Sequence, residues 1–505
     1  MSKTVTTCVR LQQLPWCAAG MGCCLFLFHL LVNRQYGFHG DELYFITCGN
    51  NLDWGYVDHP PFIALVARIA TGLMGINLFA LRFSPALTLG ISCLLTGWLA
   101  RRMGAGRFGE FLASLSFICA PMMLRAGAFL NIPCFEAFFW LATAHLLIPI
   151  CRDDNPRWWP AVGIALGLSL LNKHTTLFLG VGIAMGILFT HRRRDLLTPW
   201  PWMASVLAFL IFLPNLIWQY QHGWATLEFV RNLNAHVMQS TSRIEFIATQ
   251  LILLNVFNVF VWIAAFRFFF TSTEGRPYRM FGWIFLTVLT LLLMLHAKVY
   301  YLGPAYPMLM AGGAVFLERW RLRSRLALSV ALITMALVFL PMACPIGTIE
   351  SKEQYIRRTL GFLVNNPAEL TFDFRLQLGR QEQLEVFKQV YTNLPEEDKR
   401  GCFILTNTYD IASEVNILGR TMGLPMAISG SNSYYLWGPQ NATGECLIIF
   451  GYKQELLSEC FNDVTTVAEA TCPWITREDP VRPVFLCRNP KAPLEKLWPK
   501  FKLYR

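Results

Sequence analysis

The distribution of apolar runs constrains this chain more than any other feature. Through residues 1–345 long uncharged stretches follow one another, whereas 347–505 has the mixed pattern of a soluble α/β domain. A run of roughly 20 apolar residues is long enough to cross a bilayer as a helix. Eleven candidates lie at 14–33, 79–99, 108–124, 131–150, 161–172, 175–190, 201–218, 246–266, 280–296, 302–318 and 326–346. Only 15% of residues are charged and 54% are hydrophobic, far from the quarter charged of soluble domains. Disorder is excluded by the same figures.

The net charge of +11 would suggest nucleic acid in a soluble protein, but here its placement matters more. With eleven spans and the N-terminus inside, the inside loops hold fifteen Lys and Arg against seven in the longer outside loops. Cytoplasmic loops are the basic ones. Counting 161–190 as one span would put His191-Arg192-Arg193-Arg194 outside, so the break at Asn172-Lys173-His174 is taken as a turn between two spans. The chain thus divides at 346: a membrane domain over 1–346 and an extracytoplasmic domain over 347–505. Lys3 and Arg10 precede the first span without a cleavage site after it, the pattern of an uncleaved anchor. No CxxC occurs among the fifteen cysteines. Five of them (Cys402, Cys446, Cys460, Cys472, Cys487) fall in the tail, enough for one or two disulfides in an oxidising compartment.

The first outer loop, 34–78, opens with His39-Gly40-Asp41-Glu42 and continues to Asp58-His59-Pro60-Pro61, then an apolar stretch through Ile69 too short to span. That stretch suits a helix lying in the interface, with Asp58 as its N-cap. Adjacent carboxylates beside a membrane are costly to desolvate and need a partner or a purpose.

These motifs, in this order, resemble the bacterial branch of glycosyltransferase family 39, with the GT-C fold, relatives of the protein O-mannosyltransferases and the lipid A aminoarabinose transferase. The resemblance extends through Leu81-Arg82-Phe83-Ser84-Pro85, Asn172-Lys173-His174-Thr175, Lys298-Val-Tyr300-Tyr301-Leu-Gly-Pro304 and Ser429-Gly-Ser-Asn432-Ser-Tyr434-Tyr435-Leu-Trp437. One departure stands out: the family's Asp-x-Pro before the fourth span is Asn131-Ile-Pro133 here, which leaves Asn131 or Glu136 to stand in.

The resemblance implies an α-helical polytopic membrane protein that transfers a sugar from a polyprenyl-phosphate donor to an extracytoplasmic acceptor, with inversion. The acceptor is a glycolipid such as lipid A, a cell-wall polymer or a protein. The enzyme would be a hexosyl- or pentosyltransferase of the bacterial inner membrane, in contact with membrane lipids and not with nucleic acid. It implies Asp41 as the base that takes the acceptor's proton and Glu42 as its catalytic neighbour. Lys173, His174 and Lys298 would hold the donor phosphate, with Arg82 and His59 behind them. Asp58, Tyr300, Tyr301, Asn131 and Glu136 would contact acceptor or sugar. A divalent metal is compatible with the carboxylate pair, Glu42 being its candidate ligand, but the chemistry works without one. Phosphate departure needs cationic donors aimed at the developing charge, and proton removal needs one carboxylate. The rival is a transporter or lipid flippase, against which stands the absence of any internal repeat of the kind many transporters show. Gly, Asn, Tyr and Trp across 430–439 would form a loop able to stack on sugar rings.

Overall fold

The computed structural model describes residues 15–236, 242–361, 366–471 and 481–504. Lys3, Arg10 and Cys472 lie outside the described residues. The expected spans fall largely on helical segments, with breaks inside 108–124 and 246–266, in keeping with the rule that backbone polar groups in lipid must be satisfied within the segment. The membrane half runs α1 (Trp16–Val32), α2 (Gly40–Asn50), α3 (Phe62–Met74), α4 (Leu78–Arg102), α5 (Arg107–Ile118), α6 (Pro121–Ala126), α7 (Ile132–Asp153) and α8 (Trp159–Asn172). It continues with α9 (Thr176–Leu188), α10 (Trp200–Gln221), α11 (Ala225–His236), α12 (Arg243–Leu253), α13 (Asn258–Thr271), α14 (Arg279–Met294), α15 (Tyr306–Leu317) and α16 (Leu322–Ala343). Among the described residues five helices are long and apolar enough to cross a membrane by themselves, six if one bent pair counts as a span.

Helix pairing follows small residues. A Cβ added to Gly22 would stand 2.4 Å from the Gly90 carbonyl oxygen, so α1 and α4 touch backbone to backbone. Small residues that permit such approach drive helix association where no hydrophobic force separates helix from lipid. The break at 173–175 is real: α8 packs on α10, whereas α9 packs on α14.

The expected span 246–266 needs correction. It is α12 and α13, bent by 106° at a break of 254–257. Asn255 takes φ +73° there, and its Nδ2 donates to the carbonyls of Cys119 (3.1 Å) and Leu332 (2.9 Å). Asn258 Nδ2 donates to Ser116 O at 3.1 Å. Non-helical backbone at membrane depth is tolerated where it is buried in protein, and these two amides tie it there.

The tail carries α17 (Ile349–Leu360), α18 (Pro367–Leu370), α19 (Phe372–Arg375), α20 (Arg380–Thr392), α21 (Glu396–Lys399), α22 (Tyr409–Ile417), α23 (Asn432–Trp437), α24 (Gln454–Cys460) and α25 (Leu494–Leu497) around a five-stranded sheet. The strands are β1 (Phe403–Thr406), β2 (Ala427–Ser429), β3 (Cys446–Phe450), β4 (Phe461–Thr471) and β5 (Val481–Pro490), in spatial order β2-β1-β3-β5-β4. β1 is parallel to β2 and β3; β5 runs antiparallel to both β3 and β4. The apolar runs 402–406 and 446–450, which read as strands in the sequence, are β1 and β3, and the helical patterns of 383–391 and 412–419 are α20 and α22. The tail does not hang free. One hydrophobic cluster joins Tyr44, Ile46 and Ile63 of the first outer loop to Phe387, Ala412 and Tyr434 of the tail.

Candidate active site

Beneath the tail, at the helix ends that face it, lies a cavity of about 1180 Å³. Its walls are mostly apolar, and its polar lining includes Asp41, Asp58, His59, Asn131, Lys173, His174, Lys298, Tyr300 and Tyr301. Nine of the twelve residues singled out in the sequence therefore meet in one place, from segments as far apart as 41 and 301. Glu42, Arg82 and Glu136 do not line it.

Asp41 stands in the first turn of α2. His39 caps that helix, its Nδ1 accepting from the Asp41 N–H at 3.1 Å while Glu42 Oε2 accepts from the His39 N–H at 2.9 Å. The Asp41 carboxylate turns into the cavity, 39% exposed, and accepts from the Tyr409 hydroxyl at 3.0 Å. Tyr409 comes from the tail. No motif or spacing could have announced a partner so distant in sequence; Tyr44 was missed for the same reason.

Glu42 points the other way. Arg82 holds it bidentately, Nε to Oε1 at 3.0 Å and Nη2 to Oε2 at 2.7 Å, and Leu130 N–H donates to Oε1 at 3.1 Å. Burial alone would raise the Glu42 pKa, but Arg82 and the two backbone donors outweigh it and keep the carboxyl ionised. The Arg82 guanidinium also serves Gly37 O and Gln377 Oε1, and both side chains are buried. The roles expected for these two residues are thus corrected: Glu42 has no oxygen free for acceptor or metal, and Arg82 has no donor aimed at a phosphate. Among the described residues no three His, Cys, Asp or Glu converge to hold a metal ion.

The second charged group sits at the α8–α9 break. Lys173 Nζ donates to Glu136 Oε2 at 2.8 Å, and Thr175 donates to the other oxygen of Glu136. The same ammonium lies over the rings of Tyr301 (4.4 Å) and Tyr300 (5.2 Å), which enclose it without neutralising it. Glu136 is therefore a holder of Lys173 and not a contact for the acceptor. Asn131 caps α7, accepting from Cys134 N–H at 3.0 Å and donating to Ala126 O and Phe129 O, so its amide is spent on the turn. His174 pairs with Asn215 Oδ1 (3.2 Å), and burial lowers its pKa, which favours neutral imidazole.

Lys298 has no hydrogen-bond or ion-pair partner among the described residues. Its pKa is lowered, first by burial and then by Lys173, while Asp41 pulls it back up. A desolvated ammonium facing a second one is a standing demand for an anion. Asp58 is not the N-cap of the interfacial helix; that position is Pro61, which makes no side-chain cap. Its carboxylate accepts from Tyr44 OH at 2.8 Å, and burial raises its pKa against the pull of His59 and Tyr44. His59 is fixed by Pro60 O at 2.8 Å, with its Nε2 unpartnered. The 430–439 segment is not a sugar-stacking loop. It forms α23, and Ser433 Oγ lies 2.8 Å from Tyr44 OH while accepting from Val57 N–H, which pins the tail to the first outer loop.

Residues 58–218 match the family model described as dolichyl-phosphate-mannose-protein mannosyltransferase. Asp41 lies outside that segment. The chain is 26% identical over 273 residues to lipid A galacturonosyltransferase RgtD of Rhizobium johnstonii, covering 52% of this chain and 56% of the relative. It is 28% identical over 166 residues to undecaprenyl phosphate-alpha-4-amino-4-deoxy-L-arabinose arabinosyl transferase 1 of Pseudomonas fluorescens, covering 32% and 29%. The match thus spans little more than half the length of the first relative and under a third of the second. The fold match, by contrast, extends over nearly the whole chain. ArnT from Cupriavidus metallidurans, solved bound to undecaprenyl phosphate, superposes with a TM-score of 0.60 at 16% identity, over 93% of this chain and 97% of that one. The whole-chain superposition thus shows the GT-C fold that the sequence motifs led us to expect, and over part of its length the chain is similar in sequence to membrane glycosyltransferases.

Proposed function

We propose that the protein transfers a sugar from an undecaprenyl-phosphate-linked donor to a lipid A-like acceptor, on the extracytoplasmic side of a bacterial inner membrane that it crosses eleven times. The observation that carries this is that the cavity brings the Asp41 carboxylate together with two ammoniums, Lys173 and Lys298, between apolar walls. A prenyl phosphate needs both halves of such a site: apolar surface for the chain and cations for the head. The arabinosyl transferase among its relatives supports the donor class and the lipid A galacturonosyltransferase supports the acceptor, and either a hexosyl or a pentosyl group fits the mechanism.

In that mechanism Asp41 accepts the proton of the attacking hydroxyl or amine. The new bond forms at the anomeric carbon as its bond to the phosphate oxygen breaks, and the electron pair leaves with the prenyl phosphate. Lys298 and Lys173 stabilise that charge where it develops, inside a desolvated site where such contacts are strongest. A single displacement inverts the anomeric centre. Asp58, which accepts from Tyr44, borders the cavity as a polar contact for sugar or acceptor.

The test is transfer to lipid A from undecaprenyl-phosphate-linked 4-amino-4-deoxy-L-arabinose and from undecaprenyl-phosphate-linked galacturonate, using purified full-length protein. Wild type should use one of the two, and Asp41→Asn should cut transfer by roughly 10²–10⁴-fold without changing the melting temperature. Activity near wild type in that variant, or transfer of neither sugar by wild type, would overturn the proposal.

A further inference from the structure

We infer that the tail domain completes the active site, with Tyr409 as the positioning residue that aims the Asp41 carboxylate. The inference rests on Asp41 being the base proposed above.

A base in the first turn of a helix, 39% exposed, has a rotatable carboxylate and needs something to fix it. His39 is near, with Nδ1 3.7 Å from Asp41 Oδ2. That nitrogen, however, accepts from the Asp41 backbone N–H, so in this arrangement it holds no proton to give the carboxylate. The Tyr409 hydroxyl does, at 3.0 Å to Oδ1. By occupying Oδ1 it leaves Oδ2 as the oxygen open to the acceptor's proton.

Tyr409 is itself held rigidly. Its ring lies 4.4 Å from that of Tyr44, whose hydroxyl is committed to Asp58 and Ser433. It opens α22 directly behind the C-terminal end of β1, so its place is set by the tail's sheet.

Three features bring α22 against α2. One is Gly40. A Cβ there would stand 2.7 Å from Asp410 Cβ and 2.9 Å from Arg380 Nη2, closer than real Cβ contacts. The glycine ahead of Asp41 is thus explained by the approach of the tail. The second is Arg380, whose Nε donates to Phe38 O at 2.9 Å and whose Nη1 donates to the buried Glu414 of α22 at 2.6 Å. The third is the hydrophobic cluster shared by the two regions. Chemistry assigned to the membrane half therefore depends on a hydroxyl that the tail delivers.

The experiment compares Tyr409→Phe, Gly40→Ala, Asp41→Asn and the double variant Asp41→Asn/Tyr409→Phe with wild type, in the transfer assay above. Phe keeps the ring against that of Tyr44 and removes only the hydroxyl. A hydrogen bond to a charged group is worth enough that kcat should fall roughly 10- to 100-fold in Tyr409→Phe, with KM for the lipid-linked donor within about twofold of wild type. Gly40→Ala should lose kcat as well, since its methyl pushes α22 away. In the Asp41→Asn background Tyr409→Phe should cost nothing further, because no carboxylate remains to aim; residues acting through one another are non-additive. A wild-type kcat in Tyr409→Phe or in Gly40→Ala, a loss confined to KM, or a full additional loss in the double variant would overturn the inference. If Asp41→Asn alone cuts transfer to that extent while Tyr409→Phe is silent, the proposed function stands and only this inference falls. If Asp41→Asn is as active as wild type, both fall.

Discussion

Two carboxylate–cation pairs sit at the helix ends that face the tail, and they do opposite things. Glu42–Arg82 is closed: both side chains are 2% exposed or less, every oxygen of the acid is taken, and neither residue reaches the cavity. Glu136–Lys173 is open on one side: the acid is 1% exposed, but the lysine is 15% exposed and lines the cavity under two tyrosine rings. Both acids cost desolvation, and both are compensated by a cation. What separates scaffold from site is whether the cation has capacity left over. Arg82 spends its donors on Glu42 and on the carbonyl and amide oxygens around it, locking the first outer loop to α4. Lys173 spends one contact on Glu136 and keeps the rest of its ammonium facing the space a phosphate would fill.

The comparison predicts that removing either member of the closed pair is first a folding defect. Glu42→Gln leaves a buried guanidinium uncompensated, a change that costs about 3–5 kcal/mol. The variant should express poorly or melt far below wild type, and any protein recovered folded should retain transfer, because Asp41 and the two lysines are untouched. A Glu42→Gln protein with wild-type melting temperature and no activity would break the distinction and return Glu42 to the chemistry.

Lys298 should behave in the opposite way. It has no protein partner to orphan, so Lys298→Met removes a cation from a site where its burial is unfavourable, and the fold should be unharmed or slightly more stable. Loss of one oriented donor to developing charge typically costs about 10²–10³ in rate. Lys173→Met should lose a comparable factor but also destabilise, since Glu136 is left buried without its cation. Equal melting temperatures for the two variants would show that Glu136 does not depend on Lys173, and would erase the contrast between a free and a held phosphate ligand.

Much of this was legible in the sequence, for a physical reason. Charges at span ends stand out against an apolar background, which drew attention to Asp41, Lys173 and Lys298, and the structure gathers all three around one cavity; most of the apolar runs fall on helices. Which way a side chain faces could not be found. Asp41 and Glu42 are adjacent and of one chemistry, yet the helix sends one to the cavity and the other to Arg82. Tyr409 looks like any tyrosine opening a helix, because its role exists only once the tail docks. The bend at 254–257 was hidden because Asn255 and Asn258 read as two polar interruptions in an otherwise continuous apolar run. β4, Phe461-Asn-Asp-Val-Thr-Thr-Val, is an edge strand polar enough to pass for loop, and its partner β5 was missed with it.

The smallest effect belongs to a third buried acid, Glu414, which sits between the extremes. Arg380 holds one of its oxygens, and the other has no partner. Burial pushes its pKa up to about 7 from 4.5, with Arg380 opposing only in part. A folded-state pKa above the unfolded one means that the folded protein binds the proton more tightly. The stability this contributes is fully present below pH 4.5 and is lost as pH rises through about 7. Gln copies the protonated acid and does not titrate. The melting temperature of Glu414→Gln relative to wild type should therefore climb as the pH is raised from 5 to 8, by no more than a few degrees. A difference flat with pH would mean that Arg380 compensates Glu414 as fully as Arg82 compensates Glu42, and that the clamp holding Phe38 and α2 against the tail is a second closed pair.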